Sequence, residues 1–329
     1  MSVTWILHNY PPVVLGGAEF VAHRLNLWLV ENGWKVHVHI VPGGIGKTDY
    51  PSSFEGINIY TTRSLYDVQF EPGTLLCSQL WAAKHARNIF EMRKLRYIEF
   101  VHYVDATVIS RYPWSSQRNF TMVYNSEDTK TRALEIAPWM STAPHKMLHP
   151  PIWTTGVSAR TNANMYPWIT LVNFSLDKGA DIMNALAATD TDTATRGRSY
   201  TCVKGAHGAQ LVPAESILTL EPTLNMNEIW AKTRILIVPS KYETWSMVAT
   251  EAMAQGIPVV AADHIPALKE NCGDGAIYVK RDNICEWIEA FNVIESRYPE
   301  YSNKALRRVA DPKLAEFFSE FAPAAAAGI

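Results

Sequence analysis

Cysteine is scarce in this chain, with four in 329 residues. Cys77, Cys202, Cys272 and Cys285 are scattered, and no two of them form a C-x-x-C. That excludes a disulfide framework or a Cys-based zinc module as the organising device and predicts reduced, mostly buried thiols. Net charge is also nearly missing, at −2. The chain therefore lacks the overall field of a protein that coats nucleic acid, although local patches stay open. No apolar run approaches the roughly 20 residues that a membrane-spanning helix needs. The opening MSVTWILHNYPP has neither the basic start nor the long apolar segment of a secretory leader, so the expected compartment is the cytoplasm.

What the sequence does have is alternation, over a length that allows two domains with a core each. VTWILHN reads as a strand, YPPVVLGGAE as a loop and EFVAHRLNLWLVENG as a helix. Phe20, Val21, Leu25, Leu27, Trp28 and Leu29 give that helix a core face, and Gly33 stops it. With the next strand, KVHVHIV, this is the opening βαβ unit of a Rossmann-like domain, with Gly16 and Gly17 between strand and helix. Glycines there let the backbone approach a ligand closely. INIYTT, TLLCSQL, a helix in WAAKHARNIFEMRKLR and the strand YIEFVHYV with His102 at its end follow. TMVYNSEDTKTRALE reads as a strand capped by Asn125 and Ser126 into a helix, and HKMLHPPI as a further strand.

The helix at 84–96 is basic, with Lys84, Arg87, Arg93, Lys94 and Arg96 against Glu91, and amphipathic through Ile89, Phe90 and Leu95. It is either a surface helix covering the sheet or a docking face for an anionic acceptor, meaning a phospholipid surface or a nucleic acid. The polar, irregular residues 151–166 suit a hinge. Beyond them come the strand WITLVNF, a helix in SLDKGADIMNALA, the strands SYTCVKGAHG and SILTLEP and the helix LNMNEIWAKT.

Two apparent motifs are set aside. Gly46, Lys47 and Thr48 look like the end of a phosphate-binding loop, but the required first glycine falls on Val41 and Pro51 interrupts the helix. Asp190 and Asp192 spell the D-x-D of a metal site inside TDTDTATRGR, a run that reads as a solvated connector, so no metal site is expected.

The most informative stretch is 235–261, ILIVPSKYETWSMVATEAMAQGIPVVA. An apolar strand ends at Pro239 and Ser240, and a loop carries Glu243. The helical run SMVATEAMAQ stops at Gly256, and Pro258 leads a second apolar strand. This is a parallel βαβ unit, and ligands of such units sit beyond the carboxyl ends of the strands, near Glu243 and the start of the helix. The helix N-terminus offers free N–H groups to an anion. Two acids beside an anion site make sense when the ligand is a phosphorylated sugar, whose hydroxyls donate to carboxylates.

This string resembles the nucleotide-sugar site of retaining glycosyltransferases with the GT-B fold, which carry PS-x-x-E-x₇-E-A-M-A-x-G-x-P-V-V there. Glu243 and Glu251 hold the acidic positions, while Thr244, Trp245 and Ser246 replace small, Gly-containing sequence. Trp245 is expected to narrow the sugar pocket. Lys178 and Gly179 match the family's diphosphate-gripping K-G, and Asn173 stands where an Arg is usual, as in a related subset of such enzymes. Gly205 and Gly208 fall at the family's G-x-G turn near the base, and Glu270 matches the acid before the final strand. In the first half, Gly16 and Gly17 are similar to the family's N-domain loop, and His102 to a histidine lining the cleft beside the sugar; a buried structural histidine is the other reading.

The resemblance implies an α/β fold of two Rossmann-like domains facing across a cleft. Residues 1–150 would form the acceptor domain, 151–166 the linker and 167–310 the donor domain, with 311–329 returning as a helix to the first. It implies metal-independent transfer of a sugar, with retention, from a UDP- or GDP-sugar to an acceptor hydroxyl on a lipid, glycan, protein or modified DNA base. The nucleotide sugar is a substrate, and no resident cofactor is expected. His102, Lys178 and Glu243 are the expected catalytic residues. Gly16, Gly17, Asn173, Gly205, Thr244, Trp245, Ser246, Met247 and Glu251, with Lys178, are the expected donor contacts. Lobe closure would exclude water. An epimerase or hydrolase of nucleotide sugars on the same fold and a non-catalytic nucleotide-sugar binding module are the rival readings.

Overall fold

A computed structural model describes residues 1–14, 16–43, 49–109, 119–152, 157–205, 209–309 and 313–321. Gly46 to Thr48 and Gly208 lie outside the described residues. Two units result, Met1–Pro151 with Pro312–Ile329, and Ile152–Asp311.

In the first unit the strands are β1 (Ser2–Leu7), β2 (Lys35–Ile40), β3 (Ser53–Phe54), β4 (Ile57–Thr61), β5 (Leu75–Gln79), β6 (Arg96–Val101), β7 (Phe120–Tyr124) and β8 (His145–Met147). Among the described residues they form one eight-stranded sheet in the order β3-β4-β2-β1-β5-β6-β7-β8. Every pair is parallel except the short β3–β4 hairpin. All six residues of β1 are buried, as a strand with helices on both faces must be. The chain leaves β1 for β2 and returns through β5 on its other side, so the strand order reverses between β1 and β5. The helix Glu127–Ile136 starts on a real cap: Ser126 Oγ accepts Thr129 N–H at 3.0 Å. The helix Leu314–Ser319 belongs to this unit through Phe318, which stacks on Trp28 with ring centres 5.6 Å apart.

Glu99 breaks the apolar pattern of this core. It stands in the middle of β6 and is fully buried. Its Oε2 accepts from Ser78 Oγ at 2.6 Å and from the Tyr97 hydroxyl. Burial raises its pKa from 4.5 to about 7, against the opposing pull of those two hydroxyls and of Arg87.

The second unit carries β9 (Trp168–Val172), β10 (Ser199–Val203), β11 (Leu218–Leu220), β12 (Thr233–Val238), β13 (Val259–Ala262) and β14 (Ala276–Val279). Its sheet is parallel throughout, in the order β11-β10-β9-β12-β13-β14. Here the order reverses between β9 and β12. The helix expected over SLDKGADIMNALA is divided: Leu176–Lys178 is a tight turn, Gly179 takes a left-handed φ of 90°, and the helix proper is Ala180–Thr189. Arg160, within the stretch expected to be a hinge, donates to the carbonyls of Gln255, Thr233 and Trp230 at 2.6–2.9 Å.

The solvated connector expected over TDTDTATRGR holds for the largely exposed turn at 191–197 but not for Asp190. Asp190 is buried, accepting from Arg198 Nη1 at 3.0 Å and from the Tyr200 hydroxyl at 2.8 Å. Arg198 in turn forks onto Glu295 at 2.7–2.8 Å, and Arg234 donates to the same carboxylate. The polar run misleads because its first acid is neutralised by Arg198, which a carboxylate some hundred residues further on holds in place. Among the described residues no helix is long and apolar enough to cross a membrane.

Because native Glu99 holds its proton up to about pH 7, its contribution to stability is complete below the ordinary carboxyl range and is lost as pH rises through 7. The span corresponds to a loss of the order of 3 kcal/mol. Urea titrations from pH 5 to pH 8 should show wild type weakening relative to Glu99→Gln. Parallel pH dependences would show that Glu99 is ionised throughout.

Candidate functional site

The second unit gathers its polar loops where its strand order reverses. Ser175 to Gly179 follow β9, and Pro239 to Ser246 follow β12, its neighbour. Lys178 Nζ donates to Glu243 Oε1 at 2.6 Å, and Ser240 Oγ donates to the same oxygen at 2.8 Å. Glu243 is buried and Lys178 half-buried. Both of those bonds go to Oε1, which leaves the lone pairs of Oε2 for other donors. The two residues expected to serve separate parts of a donor are thus paired with each other.

Gly179 makes that approach possible. A Cβ there would lie 2.4 Å from Pro239 Cγ and 2.6 Å from Pro239 O, and the φ of 90° is itself hostile to a side chain. Lys241 N–H donates to Asp177 O at 2.9 Å, tying the two loops together beside it.

At the end of the second loop begins the helix Met247–Ala254. Ser246 precedes it with φ 73° and ψ 86°, a left-handed conformation rare outside glycine. Ser246 Oγ is buried and meets no hydrogen-bond partner among the described residues. Asn271 holds the turn from behind, donating from Nδ2 to Trp245 O at 2.6 Å and to Ser246 O at 3.0 Å. Thr250 Oγ1 accepts from Trp245 Nε1 at 3.1 Å and donates to Asn271 Oδ1. Trp245 is therefore buried packing, with its ring nitrogen engaged, instead of a wall presented to a sugar. Thr244 and Met247 are half-buried on either side, and Glu251 is half-buried in the helix itself.

Asn173 also takes a left-handed φ, 70°, which Asn tolerates better than most residues. Its Oδ1 accepts from Gln210 Nε2 at 3.1 Å, and Gln210 Oε1 accepts Gly205 N–H at 2.9 Å. A Cβ on Gly205 would meet Asn173 Oδ1 at 2.3 Å. Asn173 thus links Gln210 and Gly205 beyond the end of β10.

The first-unit residues belong to the other sheet. Gly16 has an ordinary extended backbone, φ −100°, and caps the helix Gly17–Glu31, so neither glycine is required by its conformation. His102 is half-buried with its ring stacked on Phe100, 5.7 Å between centres, and burial pulls its pKa down to about 4. The basic helix expected over 84–96 stops at Arg93, where Lys94 takes a left-handed φ of 55°, and Arg96 opens β6 instead; within the helix Arg87 pairs with Glu91 at 3.6 Å and Arg93 donates to Tyr66 O at 3.1 Å. Ser240, Thr250 and Asn271 join the site beyond the residues expected from the sequence. Ser240 was legible, three residues before Glu243, whereas Asn271 is 25 residues beyond the Ser246 it supports.

Residues 205–294 match the family model of glycosyl transferases group 1. The two parallel-sheet units have the GT-B fold of solved glycosyltransferases. The chain is similar to HepE of Anabaena in complex with UDP-glucose, with TM-score 0.71 and 13% identity over 97% of this chain and 100% of that one. It is similar to sucrose-phosphate synthase from Thermosynechococcus elongatus, with TM-score 0.65 and 14% identity over 97% and 96% of the two chains. WaaG, a glycosyltransferase involved in lipopolysaccharide biosynthesis, matches with TM-score 0.66 and 11% identity over 97% and 98%. Among curated proteins, no sequence matches the chain.

Gly179→Ala should lower stability by about 1–3 kcal/mol, from strain and collision together. Gly197→Ala is the control, since it shares a positive φ but meets its nearest atom only at 3.9 Å. Equal melting-point losses in the two variants would show that the contact with Pro239 is unimportant.

Proposed function

We propose that the chain transfers a sugar from a nucleoside-diphosphate sugar to an acceptor hydroxyl, with retention at the anomeric carbon and without a metal, in the cytoplasm. A UDP-sugar is the preferred donor. The observation that carries this reading is the Lys178–Glu243–Ser240 cluster at the strand-order reversal of the second sheet, beside the Met247–Ala254 helix start with its buried, unbonded Ser246 hydroxyl. In parallel sheets this is where ligands bind. The likeness to HepE, a protein solved in complex with UDP-glucose, supports the choice of donor.

As the bond from the anomeric carbon to the diphosphate breaks, negative charge grows on the leaving oxygen. The ammonium of Lys178, with two protons to spare beyond its bond to Glu243, meets that charge together with the first N–H groups of the helix and the Ser246 hydroxyl. Glu243 Oε2 accepts hydroxyl protons of the sugar, and Glu251 those of the ribose. The acceptor proton goes to the leaving phosphate oxygen on the same face, so the new bond forms on the side from which the old one left. The backbone at Asn173 and Gly205 supplies further contacts. His102, in the first unit, is neutral at pH 7 and offers any hydroxylated ligand there a hydrogen bond without charge.

A thermal-shift panel of UDP-, GDP- and ADP-sugars should raise the melting point with one nucleotide, because a ligand of the native state stabilises by mass action. Lys178→Ala and Glu243→Ala should each reduce kcat/KM by about a hundredfold or more with the fold intact. Wild-type rates in either variant would remove the assignment, and free sugar released without acceptor would favour a hydrolase or epimerase. The pH–rate profile should show no limb near the usual histidine range from His102, and His102→Gln should leave its shape unchanged.

A further inference from the structure

One side chain, Asn271, near the end of the helix Pro266–Cys272, holds the turn that leads into the helix Met247–Ala254. Asn271 is buried, and its partners fix which way its amide lies. The carbonyls of Trp245 and Ser246 can only accept, so the atom 2.6 and 3.0 Å from them is the donor Nδ2. Oδ1 then accepts from Thr250 Oγ1 at 3.0 Å, and the same hydroxyl oxygen accepts the indole proton of Trp245 at 3.1 Å. Arg308 Nε donates to the backbone carbonyl of Asn271 at 2.8 Å, so the residue that does the holding is itself held. Both polar atoms of the Asn271 side chain are engaged, and Nδ2 is given wholly to the turn.

This arrangement acts on groups that Asn271 does not touch. A trans peptide is planar and carries its C=O and its N–H on opposite edges. Drawing Trp245 O toward Asn271 therefore turns the Ser246 N–H away from it, and drawing Ser246 O turns the Met247 N–H away likewise. Met247 is the first residue of its helix, so no carbonyl of that helix accepts its N–H. Between the two N–H groups stands Ser246, with a buried hydroxyl that has no partner among the described residues and a φ of 73°. A backbone of that kind persists only where its surroundings impose it. Were the two carbonyls released, the peptides on either side of Ser246 would rotate toward an easier conformation, and both N–H groups would turn with them.

We infer that Asn271 is a positioning residue for the donor's diphosphate: by holding two successive carbonyls it aims the N–H groups of Ser246 and Met247 at the phosphate oxygens without meeting the ligand. This rests on the transferase reading of the second unit. Thr250 belongs to the same device, because its hydroxyl keeps the Asn271 amide from turning over.

The test uses paired probes that differ only by the diphosphate: UDP and uridine, GDP and guanosine, ADP and adenosine. Binding to the full chain is measured by calorimetry for the diphosphates and by ligand-observed NMR for the weaker nucleosides. Asn271→Asp keeps the shape of the side chain but sets an acceptor against the two carbonyls. In the pair that wild type binds, it should weaken the diphosphate about tenfold and leave the nucleoside within about twofold of wild type. Thr250→Val keeps Nδ2 and removes the orienting hydroxyl. It should show the same selectivity with a smaller loss, and it decides the matter should Asn271→Asp fail to fold.

A brace with a structural role alone would lower the melting points of both variants while the folded proteins bound the diphosphate as wild type does, and that result would overturn the proposal. Equal losses of diphosphate and nucleoside would overturn it too, since a loosened fold and not the aim of two N–H groups would be the cause. A wild type that binds none of the diphosphates would discard the donor reading itself, and the role of Asn271 with it. Tight binding by wild type and by both variants would discard the role of Asn271 alone.

Discussion

Lys178 and Glu243 reach one another from loops 65 residues apart in sequence. They meet because β9 and β12 are neighbours in the sheet although two strands and their connections separate them in the chain. A half-buried ammonium beside a buried carboxylate is stable only as a pair, so each loop fixes the other. Everything else in the second unit's site is arranged to let that pair form. Gly179 removes the side chain that would hold the loops apart, Ser240 adds a second donor to the carboxylate, and Asn271 fixes the turn that follows. The same pairing gives the site its mixed character, an ammonium and a carboxylate oxygen left for further donors within one constellation.

The second unit also buries charge for a different purpose. Arg198, Arg234, Asp190 and Glu295 are all removed from water, and each guanidinium is met by carboxylates or carbonyls. A network of this kind adds little net stability over apolar packing, but breaking one member strands the others. It fastens the start of β10 and the start of β12 to the helix Ile284–Ser296, at the end of the sheet opposite the functional loops. Glu99 in the first unit is the contrasting case: its side-chain partners are hydroxyls, and the proton it keeps relieves its burial.

Much of this was legible in the sequence. The string from Pro239 to Pro258 located the second site, its helix and both acids, since the family's pattern follows backbone needs that recur. Lys178 and Gly179 were legible for the same reason, although the break they make in the helix was not, because the helical periodicity of 180–189 ran on through it. Trp245 was not: its size is plain from the sequence, but the partners Thr250 and Asn271 that draw it inward are not. Asp190 was hidden in the same way, since its polar neighbours mask the pairing with Arg198. The first unit offered fewer signals.

Ser246 keeps a glycine-like backbone while carrying a hydroxyl that glycine would lack. A conformation of this kind is disfavoured by about 1–3 kcal/mol and persists because Asn271 and Thr250 brace it. The loop is thus set without a ligand, and on the transferase reading proposed above, recognition of an anion there has little chain ordering to perform. On that reading the receptor is stiff at the point of contact, and discrimination among donors comes from whatever lies further along the sugar.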